Sequence, residues 1–426
     1  MSRREPAGTL RASDAGRAVF LEGWVEKRRN LGDLIFLSLR DRSGIVQVLF
    51  DRQRCPPEAV EAASTARMED VVAVTGEVVP RAPGQINREI ATGEIEVVAS
   101  RLEFLARADT PPFVVEDRTN ATEELRLQYR YLDLRRPAMQ RNIILRHEMA
   151  FRIRTLLHRR GFLEVETPML TRSTPEGARD FLVPSRLHPR NFYALPQSPQ
   201  LFKQILMVAG LEKYFQIARC FRDEDLRADR QFEFTQIDLE MSFLTEEDVY
   251  EVVEDLLIEA FAAAGIIAPR PFPRLTYREA LDRFGTDRPD LRYDLELTDL
   301  TAAAQGSGFT PFEKATSDGG TVRGLRVPGG GTLSRRSLDE LAELARKHGA
   351  AGLLWVKKAG GEVSSPAKKG IAPEVMEAVL KSAGVAEGDL LLIVADRPRA
   401  AFAALGAVRA AVARSLSLVD ETKHAF

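Results

Sequence analysis

The chain has 426 residues, more than one ordinary core accommodates, so two or three domains are expected. Hydrophobic residues make up 44% and charged residues 29%, as in a soluble globular protein rather than a disordered one. Formal net charge is -2, so any nucleic-acid contact must come from local basic patches. The two cysteines, Cys55 and Cys220, offer neither a disulfide framework nor zinc spacing and fit a reducing cytoplasm. "MSRREPAGTLRASDAG" has no apolar core for a signal peptide, and no apolar run reaches membrane-spanning length. A cytoplasmic chain without a membrane partner is expected.

In chain order, residues 17–105 read as five short strands. "AVFLEGWV", "LIFLSL", "GIVQVLF", "VVAVTGEVV" and "GEIEVVAS" are rich in β-branched and aromatic residues, with turns such as "DRSG" and "RAPGQ" between them. Five strands in this span suggest a small barrel or sandwich, with a five-stranded barrel a natural candidate. "ADTPPFVVEDRTNATEE" reads as an extended linker. In "LRLQYRYLDLRRP" the arginines 126, 130, 135 and 136 alternate with aromatic and aliphatic residues, as in a solvated helix face or an RNA-facing hinge.

A helical period begins at Met139, with Leu145, Met149, Ile153, Leu156 and Leu157 on one stripe and a stop at Gly161. "FLEVETPML" reads as a strand cut by Pro168, "TRSTPEGARDF" as a mobile loop and "SPQLFKQILMVAG" as a helix. "YFQIARCFR" and "EFTQIDLEM" are strands, and Thr245 to Asp248 form a capping box before an amphipathic helix. Strands joined by a hairpin favour an antiparallel α+β domain. From about Tyr293 a separate α+β module follows: "SLDELAELARKHGA" and "PEVMEAVLKSAG" are helices and "GLLWVKK" a strand. The glycines of "GGTVRGLRVPGGG" lack the ending of a phosphate loop.

The charged stretch "FRDEDLRADRQFEFTQID", residues 221–238, joins the two hairpin strands. Period two puts Phe215, Ile217, Arg219 and Phe221 on one face, suited to packing on helices. With Tyr214, Gln216, Ala218, Cys220 and Arg222 on the other come Phe234, Gln236, Asp238 and Glu240. A polar floor is costly to bury unless it binds something. The fixed fork of Arg222 suits a phosphate, and Glu224 suits an exocyclic amine such as that of adenine.

These residues resemble a known family. "FRDEDLRADRQFEFTQID" is similar to motif 2 of class II aminoacyl-tRNA synthetases, and "GFLEVETPML" to motif 1. "STPEGARDFLVP" and "ALPQSPQLFKQ" look like the flipping loop and amino-acid pocket of aspartyl-tRNA synthetases. "GWVEKRRNLGDLIFLSLRDRSGIVQV" resembles their OB-fold anticodon-binding domain, and "GTDRPDLR" with the module after it the insertion domain of the bacterial type. The resemblance implies a multidomain α+β protein. Its parts would be an OB-fold anticodon-binding domain (1–106), a hinge (107–138), an antiparallel class II catalytic domain (139–292), an insertion domain (293–417) and a short return segment (418–426). It disfavours a lysyl- or asparaginyl-type relative.

The implied function is an aspartate–tRNA ligase. Arg222 would bind the ATP α-phosphate and the aspartate α-carboxylate, with Asp223, Glu224 and Gln231 also in the ATP site. Gln200 and Lys203, at i and i+3 on one helix, would reach the same ligand, Lys203 meeting the side-chain carboxylate. A cation there also excludes the neutral amide of asparagine. Ser198 and Glu176 would hold the α-amino group. The substrate carboxylate would itself be the nucleophile, so no catalytic Ser, His or Cys is needed. In the barrel, Phe36 would stack on an anticodon base while Arg29 and Gln47 read base edges and Leu31 favours discrimination among tRNAs. Partners would be tRNA(Asp), L-aspartate and ATP, not DNA, and a homodimer is implied through motif 1.

The sequence departs from the family at Phe232, where proline is usual, and at Asn30, where aspartate is usual. It also ends at "LVDETKHAF", before any motif 3 and before the acidic ligands expected to hold Mg2+. Among the residues present no metal site is expected. Two readings follow: an incomplete version of the ligase, or a truncated, ligase-inactive tRNA-binding protein.

Overall fold

The computed structural model describes residues 3–174, 177–227 and 230–424. The chain divides into two compact units, Met1–Arg154 and Thr155–Phe426.

In the first unit, β1 (Ala18–Asn30), β2 (Leu34–Asp41), β3 (Gly44–Asp51), β4 (Val71–Pro80) and β5 (Ile95–Ala106) close into a barrel of order β1-β2-β3-β5-β4. Only β3 and β5 pair in parallel, through Val48 with Val97 and Leu49 with Val98. The alternation in each strand sends Leu21, Ile35, Leu37, Leu39, Val48, Val74 and Val97 inward, all fully buried. Closure removes free sheet edges. A helix that the sequence reading omitted, α1 (Pro57–Thr65), lies between β3 and β4 and buries Ala59, Val60 and Ala63.

The stretch read as a linker is not merely solvated: Phe113 and Val115 are buried with Leu132 in a small core. Two short helices follow, α2 (Glu123–Gln128) and α3 (Arg130–Asp133). Asp133 is fully buried and pairs with Arg136 at 2.7 Å, with Arg126 at 3.8 Å and with Arg130. Arg135 pairs with buried Glu69 at 2.8 Å. All four arginines of this stretch thus answer carboxylates, as burial of a charge requires. The long helix α4 (Pro137–Arg159) carries the expected stripe, with Ile153 and Leu157 buried, and Gly161 follows at φ +80°.

The second unit starts from a sheet of order β10-β9-β6, where β6 is Leu163–Glu164, β9 Lys213–Phe221 and β10 Glu233–Met241. The strand expected around Pro168 is confined to two residues; a proline nitrogen cannot donate to a ladder, and the chain leaves the sheet before it. A two-stranded sheet, β7 (Leu182–Pro184) with β8 (Phe192–Ala194), precedes α5 (Gln200–Val208), and α6 (Glu246–Ala263) follows β10. In its capping box, Asp248 Oδ2 accepts from the Thr245 N–H at 2.7 Å. The polar face of the hairpin is the more deeply buried one: Tyr214, Gln216, Ala218, Cys220 and Asp238 are buried, while Arg219 and Ile237 on the opposite face are exposed.

Beyond α7 (Tyr277–Phe284), strands β11 (Leu297–Asp299), β12 (Thr321–Val327), β13 (Leu354–Ala359), β14 (Glu362–Ser364) and β15 (Leu390–Asp396) form an antiparallel sheet of order β11-β12-β15-β13-β14. One face packs on α9 (Arg335–Lys347) and α11 (Pro398–Ser415), the other on α8 (Thr310–Ser317) and α10 (Pro373–Ser382). α7 packs on α11 and β11.

Candidate active site and nucleic-acid interface

The hairpin register fixes the first site. Asp238 lies opposite Gln216, and Cys220 opposite Phe234, with no slip along nine paired positions. The polar floor is covered from two sides. Thr167, in the segment after β6, donates to Gln216 Oε1 at 2.9 Å, and the Tyr214 hydroxyl donates to the same oxygen at 2.9 Å. From α5, the Lys203 ammonium lies 2.9 Å from Asp238 Oδ1 and 3.2 Å from Glu240 Oε2, and donates to the Leu239 carbonyl at 3.3 Å.

The electrostatics follow from burial. It pulls the Lys203 ammonium down, but the hydrogen bonds and charges of Asp238 and Glu240 outweigh it and hold the lysine above its ordinary range. Burial pushes the Asp238 carboxyl up, against the pull of Lys203. Asp238 Oδ2 is buried without a hydrogen-bond partner, so this floor has an acceptor to offer a donor. Sequence reasoning placed Asp238 and Glu240 on the polar face but assigned them no role. An acidic pair at i and i+2 opposite the helix that carries Lys203 was the available signal.

Pro199 caps α5, so Gln200 and Lys203 stand on its first turn, with half-buried Ser198 just before it. Gln197, which the sequence reading also passed over, is 2% exposed. Its amide grips the preceding loop: Oε1 accepts from the Ala178 N–H at 3.0 Å, and Nε2 donates to the Ala178 carbonyl at 2.9 Å and to Asp180. That loop is tied to the charged stretch by the Asp223 N–H, which donates to the Arg179 carbonyl at 3.0 Å. Glu176, expected to hold an amino group, lies outside the described residues.

In the charged loop, the Arg222 N–H donates to the Phe232 carbonyl at 2.8 Å, and the Arg222 guanidinium stands 5.0 Å from the centre of the Phe234 ring. Glu224 accepts from Arg230 at 3.0 Å. Asp223 and Gln231 are exposed. Phe232 meets Phe181 edge to face at 5.8 Å and so joins the two loops by an aromatic contact. The structure thus gathers Lys203 with Asp238 and Glu240, and Arg222 with the Phe232–Phe234 segment. Among the described residues no group of three or more His, Cys, Asp or Glu is placed to hold a metal.

The second site lies on the barrel. Arg29 of β1 is the register partner of Phe36 of β2, and Ser38 that of Gln47 of β3. Phe36 is half-buried on the outer surface between inward Ile35 and Leu37, so it is not a core aromatic. Gln47 donates to Glu96 at 2.7 Å. Leu31 is 70% exposed at the β1–β2 turn, where Asn30 Oδ1 accepts from the Gly32 N–H at 3.0 Å. Glu96 and Arg81, both buried, were not anticipated; Arg81 donates to the Ile95 carbonyl at 2.9 Å and keeps Nη2 without a partner.

A closed five-stranded barrel with an outward aromatic beside an arginine, and an antiparallel sheet whose polar floor is edged by an arginine-bearing loop, fit an OB-fold barrel followed by a class II synthetase domain. Family models agree: residues 19–105 match "OB-fold nucleic acid binding domain" and residues 122–403 match "tRNA synthetases class II (D, K and N)". The aspartate–tRNA(Asp/Asn) ligase of Thermoanaerobacter pseudethanolicus is 50% identical over 427 residues, covering 100% of this chain and 72% of that protein. The aspartate–tRNA ligase of Geobacillus kaustophilus is 51% identical over 428 residues, with the same coverage. The chain belongs to the aspartate–tRNA ligase family of class II tRNA synthetases.

Solved structures share the fold. Asparaginyl-tRNA synthetase from Pyrococcus horikoshii, complexed with asparaginyl-adenylate, matches at TM-score 0.55 and 20% identity, over 96% of this chain and 97% of that one. A putative aspartyl-tRNA synthetase from Leishmania major matches at TM-score 0.56 and 18% identity, over 100% and 95%. Among the described residues no helix is long and apolar enough to cross a membrane.

Proposed function

We propose that this chain activates L-aspartate with ATP and transfers it to tRNA(Asp). The observation that carries the substrate assignment is the Lys203 ammonium held in a carboxylate-lined floor 2.9 Å from Asp238, in a chain half identical to named aspartate–tRNA ligases. Lys203 is the cation that receives the side-chain carboxylate of aspartate. All three of its N–H bonds already have acceptors, so substrate enters by displacing one; Glu240, at the more exposed end of the pair, is the one to yield. An asparagine amide would leave that charge poorly answered.

Arg222 pairs with the α-phosphate and with the α-carboxylate, bringing nucleophile and phosphorus together. The carboxylate oxygen attacks the α-phosphorus, pyrophosphate leaves, and aspartyl-adenylate forms. A terminal ribose hydroxyl of the tRNA then attacks the activated carbonyl and AMP leaves. Glu224 accepts from the adenine amine once Arg230 releases it, and Asp223 and Gln231 line the ATP side. Ser198 and Glu176 hold the α-ammonium, and Gln200, on the same helix face as Lys203, reaches the same aspartate. Magnesium belongs on the ATP phosphates in this class, but the described residues give it no clustered ligand set, so no residue of this chain is assigned to it.

On the barrel, Phe36 stacks on an unpaired anticodon base, Arg29 and Gln47 read base edges, and Leu31 bears on discrimination among tRNAs. The module that follows α7 is read as the bacterial-type insertion, the protein as a cytoplasmic homodimer. The alternative, a truncated tRNA-binding chain without ligase activity, has nothing in its favour among the relatives, which are ligases by name. Their greater length is a difference from which no truncation is inferred. Aspartate-dependent ATP–pyrophosphate exchange tests the proposal. Exchange with aspartate and not asparagine supports it; tRNA binding with no exchange overturns it.

A further inference from the structure

The C-terminal module has a cavity of about 530 Å³ that the proposed reaction does not use. It opens between the β13–β14 hairpin, the loop before α10 and α10 itself. Ile371, Met376, Leu380 and Val385 form its floor, each less than a tenth exposed, with Val363 beside them. Three lysines stand at its rim: Lys358 on β13, Lys368 on the loop and Lys381 on α10. Among the described residues none of the three ammonium groups has a carboxylate within ion-pairing distance. Glu377 is the one acid in the lining, one helical turn from Lys381, and it does not pair with that lysine in this structure.

We propose that this cavity is a binding site for a small amphipathic anion: an acyl or aryl body on the apolar floor and a carboxylate at the lysine rim. The volume lies within the range of small-ligand pockets, about 300–1,000 Å³. The floor residues belong to the core on that face of the sheet, so their positions are set before any ligand arrives. The rim carries three positive groups against one negative. Lysine stems lie along apolar surface while their heads stay in water, so an anionic head can be met without burying a charge.

The test uses the full chain with 13C-methyl-labelled methionine. Of its eight methionines only Met376 lines the cavity, and Met376→Leu assigns its signal. Decanoate is titrated first, then decyltrimethylammonium, which has the same tail and the opposite charge. The expected result is a saturable shift of the Met376 methyl with decanoate and none with the cation. Changing Lys358, Lys368 and Lys381 together to Gln should weaken decanoate by about tenfold, the sum of three modest exposed ion pairs. Glu377→Gln should tighten it, and Val363→Trp, which keeps every rim charge, should block it. The proposal is overturned by a Met376 signal that decanoate leaves in place, by equal response to both head groups, or by a triple variant that binds as well as the parent.

Discussion

Lys203 and Asp238 form a charge pair at 2.9 Å in which neither side chain is well exposed, 12% for the lysine and 4% for the aspartate. A cation so placed is oriented before substrate arrives, and the aspartate is what orients it. Lys203→Ala removes the partner proposed for the substrate and leaves Asp238 uncompensated. The expected outcome is a rise of about 100-fold in the KM for aspartate in the exchange assay, with the KM for ATP changed less than about threefold. Equal losses for both substrates would count against the role given to Lys203.

The same pair sets a pH dependence. The folded-state pKa of Lys203 is raised, so its stabilising contribution is fully present below the ordinary lysine value of 10.5 and is lost only as pH rises through the higher folded value. The lysine therefore stays cationic across the working range. The KM for aspartate should be flat from about pH 7 to 9.5. A steep rise within that window would mean that Lys203 loses its proton early and that its partners do not hold it.

In the first unit, Phe36→Ala should weaken binding of an anticodon stem-loop by about 1–3 kcal/mol, the stacking of one base, and leave ATP–pyrophosphate exchange unchanged. The stacking role fails if binding of the stem-loop is unaltered. Arg135→Ala, by contrast, removes a partner of buried Glu69 and should lower thermal stability. Circular dichroism melts separate that effect from RNA affinity.

Gly285 and Gly406 bring two helices into backbone contact. A Cβ on Gly406 would lie 2.6 Å from the Gly285 carbonyl oxygen, and one on Gly285 would lie 2.5 Å from that of Phe402. Gly406→Ala should therefore destabilise the C-terminal module by about 1–3 kcal/mol in denaturant unfolding. Gly352→Ala, where nothing lies within 4 Å, should be near neutral and serves as control. Comparable losses in both variants would remove the close-packing explanation.

The barrel strands, the helix from Met139 to the stop at Gly161 and the hairpin on either side of the charged loop were legible in the residues alone. In each of these a period of two or 3.6 repeats long enough to name the element and its faces. Residue chemistry on the hairpin also singled out Arg222 and Glu224, whereas Lys203 and Phe36 were named only through the resemblance to the synthetase family. The rest rests on burial and on contacts that the fold brings about. Of the basic stripe, Arg126, Arg130 and Arg136 are held by Asp133 of the same stretch, whose complete burial only the fold supplies, and Arg135 is held by buried Glu69, 66 residues away. The hairpin's polar face took the deeper burial because Thr167 and Lys203, from two other segments, supply hydrogen bonds that offset it. Periodicity names the faces of a strand; which face is covered, and by what, is set by partners that no local window contains.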